Sequence, residues 1–266
     1  MKIRIAFFDS GIGGLSVLHR ALKILPHEKF IFFADEDHVP YGTKSREEVL
    51  NFTDSAFKFL TSRNVKAIVV ACNTATSAAV REMRARYSIP IIGMEPAVKK
   101  ALELFPRQKI LVIATPITIH GDKLHQLIDR YDSEHRTELL ALPKLVDFAE
   151  RQEFASIAVK KYLEDQFAAF NFENFGAIVL GCTHFNYFKD VLREILPSRM
   201  KFVDGSDGTI NELIRQLGTN LIIGGSDSNS DSQVEFYFSE RPVVESKDLN
   251  RIKKFLERLD SMEKIE

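Results

Sequence analysis

Two cysteines are all that a chain of 266 residues carries, too few for a disulfide framework. A charge surplus of either sign is also missing, since 36 Lys and Arg stand against 37 Asp and Glu. Nucleic acid and anionic membranes, which call for a basic surplus, are therefore not expected as partners. No apolar run approaches the roughly 20 residues of a membrane span. The opening MKIRIAFFDSG enters a strand-like run and then glycines, without the long apolar region of a secretory signal. The expectation is a soluble, cytoplasmic protein with a sizeable core, 45% of the residues being hydrophobic. No low-complexity linker divides the chain, and the stretch 224–235 is its one clear polar loop.

What is present is alternation. Apolar runs at 3–8, 30–34, 67–71, 89–93, 110–114, 138–142, 177–181, 201–204 and 220–224 read as strands. Amphipathic segments at 45–63, 75–87, 96–105, 121–131, 156–170 and 186–196 read as helices between them. Most of the strand-like runs are continuously apolar, as strands buried on both faces are. This βαβ order predicts an α/β fold with parallel sheets. KIRIAFF at Lys2 and KILVIAT at Lys109 lie 107 residues apart, and Cys72 and Cys182 lie 110 apart. A half-length repeat at nearly constant offset predicts two similar α/β units. A short run at 234–238 and an amphipathic helix close the chain, and periodicity does not say which unit they join.

Ligands of parallel α/β sheets sit beyond the carboxyl ends of the strands. Four polar clusters fall there: Asp9-Ser10-Gly11-Ile12-Gly13-Gly14, Pro40-Tyr41-Gly42, Cys72-Asn73-Thr74 and Cys182-Thr183-His184. The first lacks both GxxxxGK[ST] and the full dinucleotide fingerprint. It reads either as a tight strand-to-helix turn or as a turn whose glycines admit a small anion to a helix N-terminus. Taken singly, each cysteine reads as a small buried hydrophobe. Taken as a pair, the two end the matching runs AIVVACNT and AIVLGCTH. A helix N-terminus there would hold a carboxylate and lower a thiol's pKa from about 8.5. With no CxxC and no HExxH, no metal site is expected. His184 is too close to Cys182 in sequence to read as a triad partner. Two thiols in matched environments suit inversion of a stereocentre, one removing a proton from one face while the other supplies one to the opposite face. A reversible disulfide is the alternative, and it needs Cα atoms within about 7 Å. No motif calls for a pyridoxal cofactor.

FFDSGIGGLSVL, ADEDHVPYGTKS, VVACNTATS, IPIIGMEPA, IATPITI and LGCTHF follow one another along almost the whole chain. Together they resemble the glutamate racemases of the cofactor-independent aspartate/glutamate racemase superfamily. The resemblance implies interconversion of L- and D-glutamate to supply peptidoglycan, with aspartate or another amino acid as the alternative substrate, and no cofactor or metal. It implies two pseudo-symmetric three-layer αβα domains with mainly parallel sheets and the active site in the interdomain cleft. Residues 1–95 plus 207–266 would form the first domain and 96–206 the second, in a cytoplasmic homodimer. Cys72 would serve the D-enantiomer and Cys182 the L-enantiomer, with Asp9 and His184 assisting proton transfer. Asp9, Ser10, Tyr41, Gly42, Asn73, Thr74, Thr118, Thr183 and Glu150 would hold the substrate, with Asp147 as the alternative to Glu150. Ala34, His38 and Gly121 depart from the residues frequent in that family.

Overall fold

The computed structural model describes residues 4–94, 97–221 and 233–265. Two sheets organise it. The first has the order β10-β9-β2-β1-β3-β4, built from β1 (Arg4–Asp9), β2 (Lys29–Ala34), β3 (Val65–Val70), β4 (Ile91–Gly93), β9 (Val234–Phe238) and β10 (Arg241–Pro242). All its pairings are parallel except β10 on β9. The second is fully parallel and has the order β6-β5-β7-β8. It comprises β5 (Lys109–Ala114), β6 (Thr137–Ala141), β7 (Phe175–Gly181) and β8 (Lys201–Val203). The strand order 2-1-3-4 thus recurs as 6-5-7-8. Even the irregularity recurs, since β1–β3 and β5–β7 both shift register at their first step, at Arg4/Ile5 and Lys109/Ile110.

The continuous apolar runs are explained by burial on both faces. Ile5 and Phe7 of β1 join a core shared with Leu111 and Ile113 of β5, while Ala6 and Phe8 point into a separate core. Likewise Ile110 and Val112 of β5 face a third core of their own. Three apolar layers result: one between the sheets and one outside each.

The helices are α1 (Leu15–Ile24), α2 (Arg46–Thr61), α3 (Asn73–Arg86), α4 (Val98–Leu104), α5 (Pro116–Ile119), α6 (Asp122–Tyr131), α7 (Lys144–Glu150), α8 (Ile157–Phe167), α9 (Lys189–Ile195), α10 (Ser206–Leu217) and α11 (Ser246–Met262). Local chemistry sets several starts. Ser45 and Glu48 form a reciprocal capping box on α2. Cys72 takes the N-cap position of α3, its sulfur accepting from the Ala75 N–H. The terminal segment returns to the first sheet: β9 adds beside β2, and α11 lies against α1. On α11, Ile252, Phe255, Leu259 and Met262 are buried. Burying each such side chain contributes roughly 1.5–3 kcal/mol. An exposed pair on the same helix such as Lys253–Glu257 contributes about 0–1 kcal/mol. The apolar stripe therefore holds this helix in place.

Several expected elements differ in extent. The strand expected at 89–93 starts at Ile91, because Pro90 has no N–H and enters the ladder only through its carbonyl, which accepts from Ile68. The helix expected at 186–196 starts at Lys189, behind a 3₁₀ turn over Thr183–Phe188. Residues 222–224 of the expected strand 220–224, residue 3 of the first strand, residue 96 of an expected helix and most of the polar stretch 224–235 lie outside the described residues. Among the described residues, no helix is long and apolar enough to cross a membrane.

Candidate active site

The carboxyl ends of β1, β3, β5 and β7 meet between the two sheets. Ser10, Tyr41, Gly42, Cys72, Asn73, Thr74, Cys182, Thr183 and His184 line one cavity there, with Pro40, Thr115 and Val146. Its free interior is about 10 Å³, room for about one water molecule. An amino acid is larger, so it enters only when the two sheets part or the lining side chains move. Both cysteines are buried and free of disulfide.

A separate polar chain stands behind each thiol. On the first side, the Cys72 thiol donates to Ser10 Oγ at 3.6 Å, and the Ser10 hydroxyl donates to Asp9 Oδ1 at 3.3 Å. The Gly11 N–H also donates to Asp9 Oδ1 (3.2 Å). On the second side, Cys182 Sγ lies 3.7 Å from His184 Nδ1, and His184 Nε2 lies 2.7 Å from Glu150 Oε1. The Ile12 N–H donates to that same oxygen at 3.0 Å, and Arg251 donates to Glu150 Oε2 at 2.7 Å. The two sides are joined, since Thr183 Oγ1 donates to Asp9 Oδ2 at 3.1 Å.

Burial and charge then divide the roles. The fully buried carboxyl of Asp9 is pushed by burial up to about 6 from 3.8, against the opposing pull of His184, the Gly11 N–H and Thr183. The Cys72 thiol is pushed up to about 12, by burial first and the charge of Asp9 second. The sequence reading expected the α3 N-terminus to lower this pKa. The Ala75 N–H does act in that direction, but burial outweighs it. Burial would depress His184, yet its bonds to Cys182 and Glu150 carry it well above the ordinary 6.5. Burial opposes ionisation of Glu150, yet His184, Arg251 and the Ile12 N–H hold it below the usual carboxylate range. The thiol environments are therefore unmatched, contrary to the sequence expectation. Cys72 backs onto a serine and an acid, and Cys182 onto an imidazolium and a carboxylate.

The glycine turn after β1 packs closely against the second unit. A Cβ on Gly13 would stand 2.5 Å from His184 Nδ1 and 2.6 Å from Thr183 Oγ1, so only glycine lets the turn press on the second thiol's partner. Tyr41 follows a cis Val39–Pro40 bond, and its hydroxyl donates to Asp35 at 2.6 Å. His38, one of the departures, bonds the same Asp35 at 2.9 Å and stacks on Phe52 with ring centres 3.8 Å apart. At Gly121 any Cβ would clash with the Ser77 hydroxyl, so a serine at position 121 is incompatible with Ser77 where it stands. Ala34 ends β2 paired with Asp9 in register.

Thr118 is not on the cavity wall. It reaches the site through Thr115, whose hydroxyl lies 3.1 Å from that of Thr118 and 2.9 Å from that of Thr74. Sequence reading missed Thr115, although it directly follows β5 as Ser10 follows β1. It also missed Val146 and Arg251.

Two mainly parallel sheets thus present one buried thiol each to a shared cavity, each thiol backed by its own hydrogen-bonded chain, and place the protein in the two-unit α/β class. Residues 15–213 match the family model described as Asp/Glu/Hydantoin racemase, and the chain belongs to that family. It is 52% identical to the glutamate racemase of Campylobacter curvus over 99% of this chain and 100% of that one. It superposes with a TM-score of 0.80 on glutamate racemase from Francisella tularensis in complex with D-glutamate, at 29% identity over 97% of this chain and 95% of that one. It also superposes with a TM-score of 0.80 on the Escherichia coli glutamate racemase in complex with L-glutamate and the activator UDP-MurNAc-ala, at 26% identity over 97% and 96%.

Proposed function

We propose that the chain interconverts L- and D-glutamate, with Cys72 and Cys182 as the acid/base pair. The observation that carries this reading is the convergence of two free, buried thiols on one closed cavity, each with its own polar chain. The high identity to glutamate racemases supports glutamate as the substrate. The α-proton of L-glutamate passes to Cys182, and Cys72 returns a proton to the opposite face; D-glutamate runs the path in reverse. A thiol held as neutral as Cys72 suits the donor in the first direction, and the cationic His184 faces the sulfur that takes up the proton. Ser10, Tyr41, Gly42, Asn73, Thr74 and Thr183 hold the substrate, Thr118 supporting them through Thr115. The first-turn N–H groups of α3 at Asn73 and Thr74 have no intrahelical acceptor and suit a carboxylate. Asp9 and Glu150 act through Ser10 and His184.

In water enriched in deuterium, both enantiomers should acquire deuterium at Cα while optical rotation decays to zero. Retention of the Cα proton alongside racemisation would contradict the two-base path. Circular dichroism with each enantiomer of glutamate and aspartate separates the two substrates, and aspartate turning over faster would move the assignment to the alternative.

The pH profile follows from Asp9. As a carboxylate it accepts from Ser10; as an acid it no longer draws the Cys72 proton along that chain. Its pKa near 6 places the acid limb of kcat/KM near pH 6, with activity lost as pH falls through that value. Substrate titration is distinct, because the glutamate side-chain carboxyl ionises near pH 4.3. An acid limb near 4 would remove Asp9 from the mechanism. The sign for folding is opposite. The raised pKa means that the native state binds this proton more tightly than the unfolded chain, so Asp9's contribution to stability falls as pH rises from about 4 to about 6.

The proposal extends to the cell: a cytoplasmic homodimer that supplies D-glutamate to peptidoglycan. In that reading the chain divides into residues 1–95 plus 207–266 and residues 96–206. The pairing of β9 with β2 and the packing of α10 on α1 support it, while the boundary at 95/96 lies outside the described residues. A D-glutamate requirement after deletion of the gene, and a dimer mass by light scattering, are the checks.

A further inference from the structure

The C-terminal helix sends one side chain into the chain behind Cys182. Arg251 of α11 is largely buried, its side chain 19% exposed. One guanidinium nitrogen donates to Glu150 Oε2 at 2.7 Å and another to Glu36 Oε2 at 2.7 Å. The guanidinium carbon lies 5.7 Å from the centre of the Phe238 ring and 5.8 Å from that of Phe255. Phe255 is fully buried and packs edge-on against Tyr187 (5.0 Å) and Phe154 (5.5 Å). Arg258, two turns further along, is tied to the Tyr187 carbonyl and to Asp190. The helix is therefore pinned on both sides of Phe255, and the guanidinium is held where it stands.

Glu150 divides its two oxygens. Oε1 serves His184 and the Ile12 N–H, and Oε2 serves Arg251. Two carboxylates, Glu36 and Glu150, approach each other here, and their like charges repel. Buried carboxylates so placed stay ionised only with a cation between them. Glu36 and Arg251 belong to the segments built on the first sheet, whereas Glu150 and His184 follow strands of the second.

We infer that Arg251 is a positioning residue for the Cys182 half of the reaction: it fixes the Glu150 carboxylate so that Oε1 meets His184, and thereby sets the imidazole against Cys182. Arg251 touches neither the thiol nor the cavity. Its influence travels over three contacts, Arg251–Glu150, Glu150–His184 and His184–Cys182, and each is observed at bonding distance. The inference rests on the racemase reading and adds to it the residue that holds one of the two bases in register.

Arg251→Met keeps the chain length and the contact with both phenylalanine rings while removing the charge and the donors. Arg251→Lys keeps the charge. The enantiomers have equal free energy in water, so the ratio of the two kcat/KM values is fixed at unity and a loss must appear equally in both directions. The Met variant should lose roughly tenfold or more in kcat/KM, the scale of one charge-assisted hydrogen bond, and the Lys variant should recover most of it. The primary isotope effect of Cα-deuterated substrate distinguishes positioning from general damage. It should rise for L-glutamate, whose proton goes to Cys182, and fall for D-glutamate, whose proton goes to Cys72. Unchanged kcat/KM, or a loss without divergence of the two isotope effects, overturns the inference. Should the Met variant fold poorly by circular dichroism, Arg251→Gln repeats the test with a neutral donor. If the unaltered protein turns over neither enantiomer, it is the racemase reading that fails, and this is known before any variant is assayed.

Discussion

Alanine at either cysteine is expected to lower racemisation of both enantiomers by about 10²–10⁴-fold, the contribution of a positioned general acid or base. The cavity gives the reason. Cys72 reaches it from the end of β3 and Cys182 from the end of β7, so neither thiol can stand in for the other. A proton removed on one face then has no donor on the opposite one. The variants should also differ in kind. Cys72→Ala retains the base for L-glutamate and should exchange the Cα proton of that enantiomer with solvent without inverting it, while D-glutamate stays protiated. Cys182→Ala should do the reverse. NMR of each enantiomer in deuterated buffer separates these patterns. Normal turnover after either change would falsify the two-thiol mechanism. Each sulfur borders the cavity, so its removal should lower the thermal midpoint only modestly, and more for Cys72, whose sulfur also caps α3.

The sheets were legible because burial on both faces leaves an unmistakable trace: Ile5–Phe8 and Ile110–Ile113 are apolar at every position, yet neighbours face different cores. The repeat was legible for a related reason. Two units with the strand order 2-1-3-4 end their third strand in the same place, and each puts a cysteine there. Contacts between units left no such trace. Glu150 lies 101 residues from Arg251, and Glu36 lies 215 from it, and no periodicity relates such positions. Thr115 was recoverable in principle. It occupies in the second unit the place of Ser10 in the first, and the rule that ligands gather beyond strand ends applies to β5 as well as to β1. The Cys72 pKa was misjudged because a helix N-terminus can be read from sequence, whereas complete burial beside Asp9 is a property of the assembled pair of sheets. The close neighbours of the glycine turn, His184 and Thr183 of the other unit, are hidden from sequence for a similar reason.

Replacing His184 with glutamine is expected to lower kcat/KM by about 10²–10³-fold, within the range for losing an acid/base partner. Glutamine can still span from Cys182 toward Glu150, but it carries neither a transferable proton nor a charge. The loss should therefore exceed that of Arg251→Met, which leaves the imidazole in place. Stability gives an independent reading. His184 has a folded pKa well above 6.5, so its bonds to Glu150 and Cys182 stabilise the native state fully below the unfolded value of about 6.5 and lose that contribution as pH rises through the folded value. The variant should consequently be less stable than the parent at pH 6, and the gap should narrow in alkaline buffer. Chemical denaturation at a series of pH values measures it. A gap that stayed constant with pH would mean that His184 is neutral in the native protein, and the imidazolium assigned to the Cys182 side would have to be withdrawn. A narrowing gap together with the catalytic loss would tie the charge that stabilises the second unit's side of the site to the charge that serves the second thiol. The same ion pair between His184 and Glu150 would then stabilise the native protein and ready Cys182 for proton transfer.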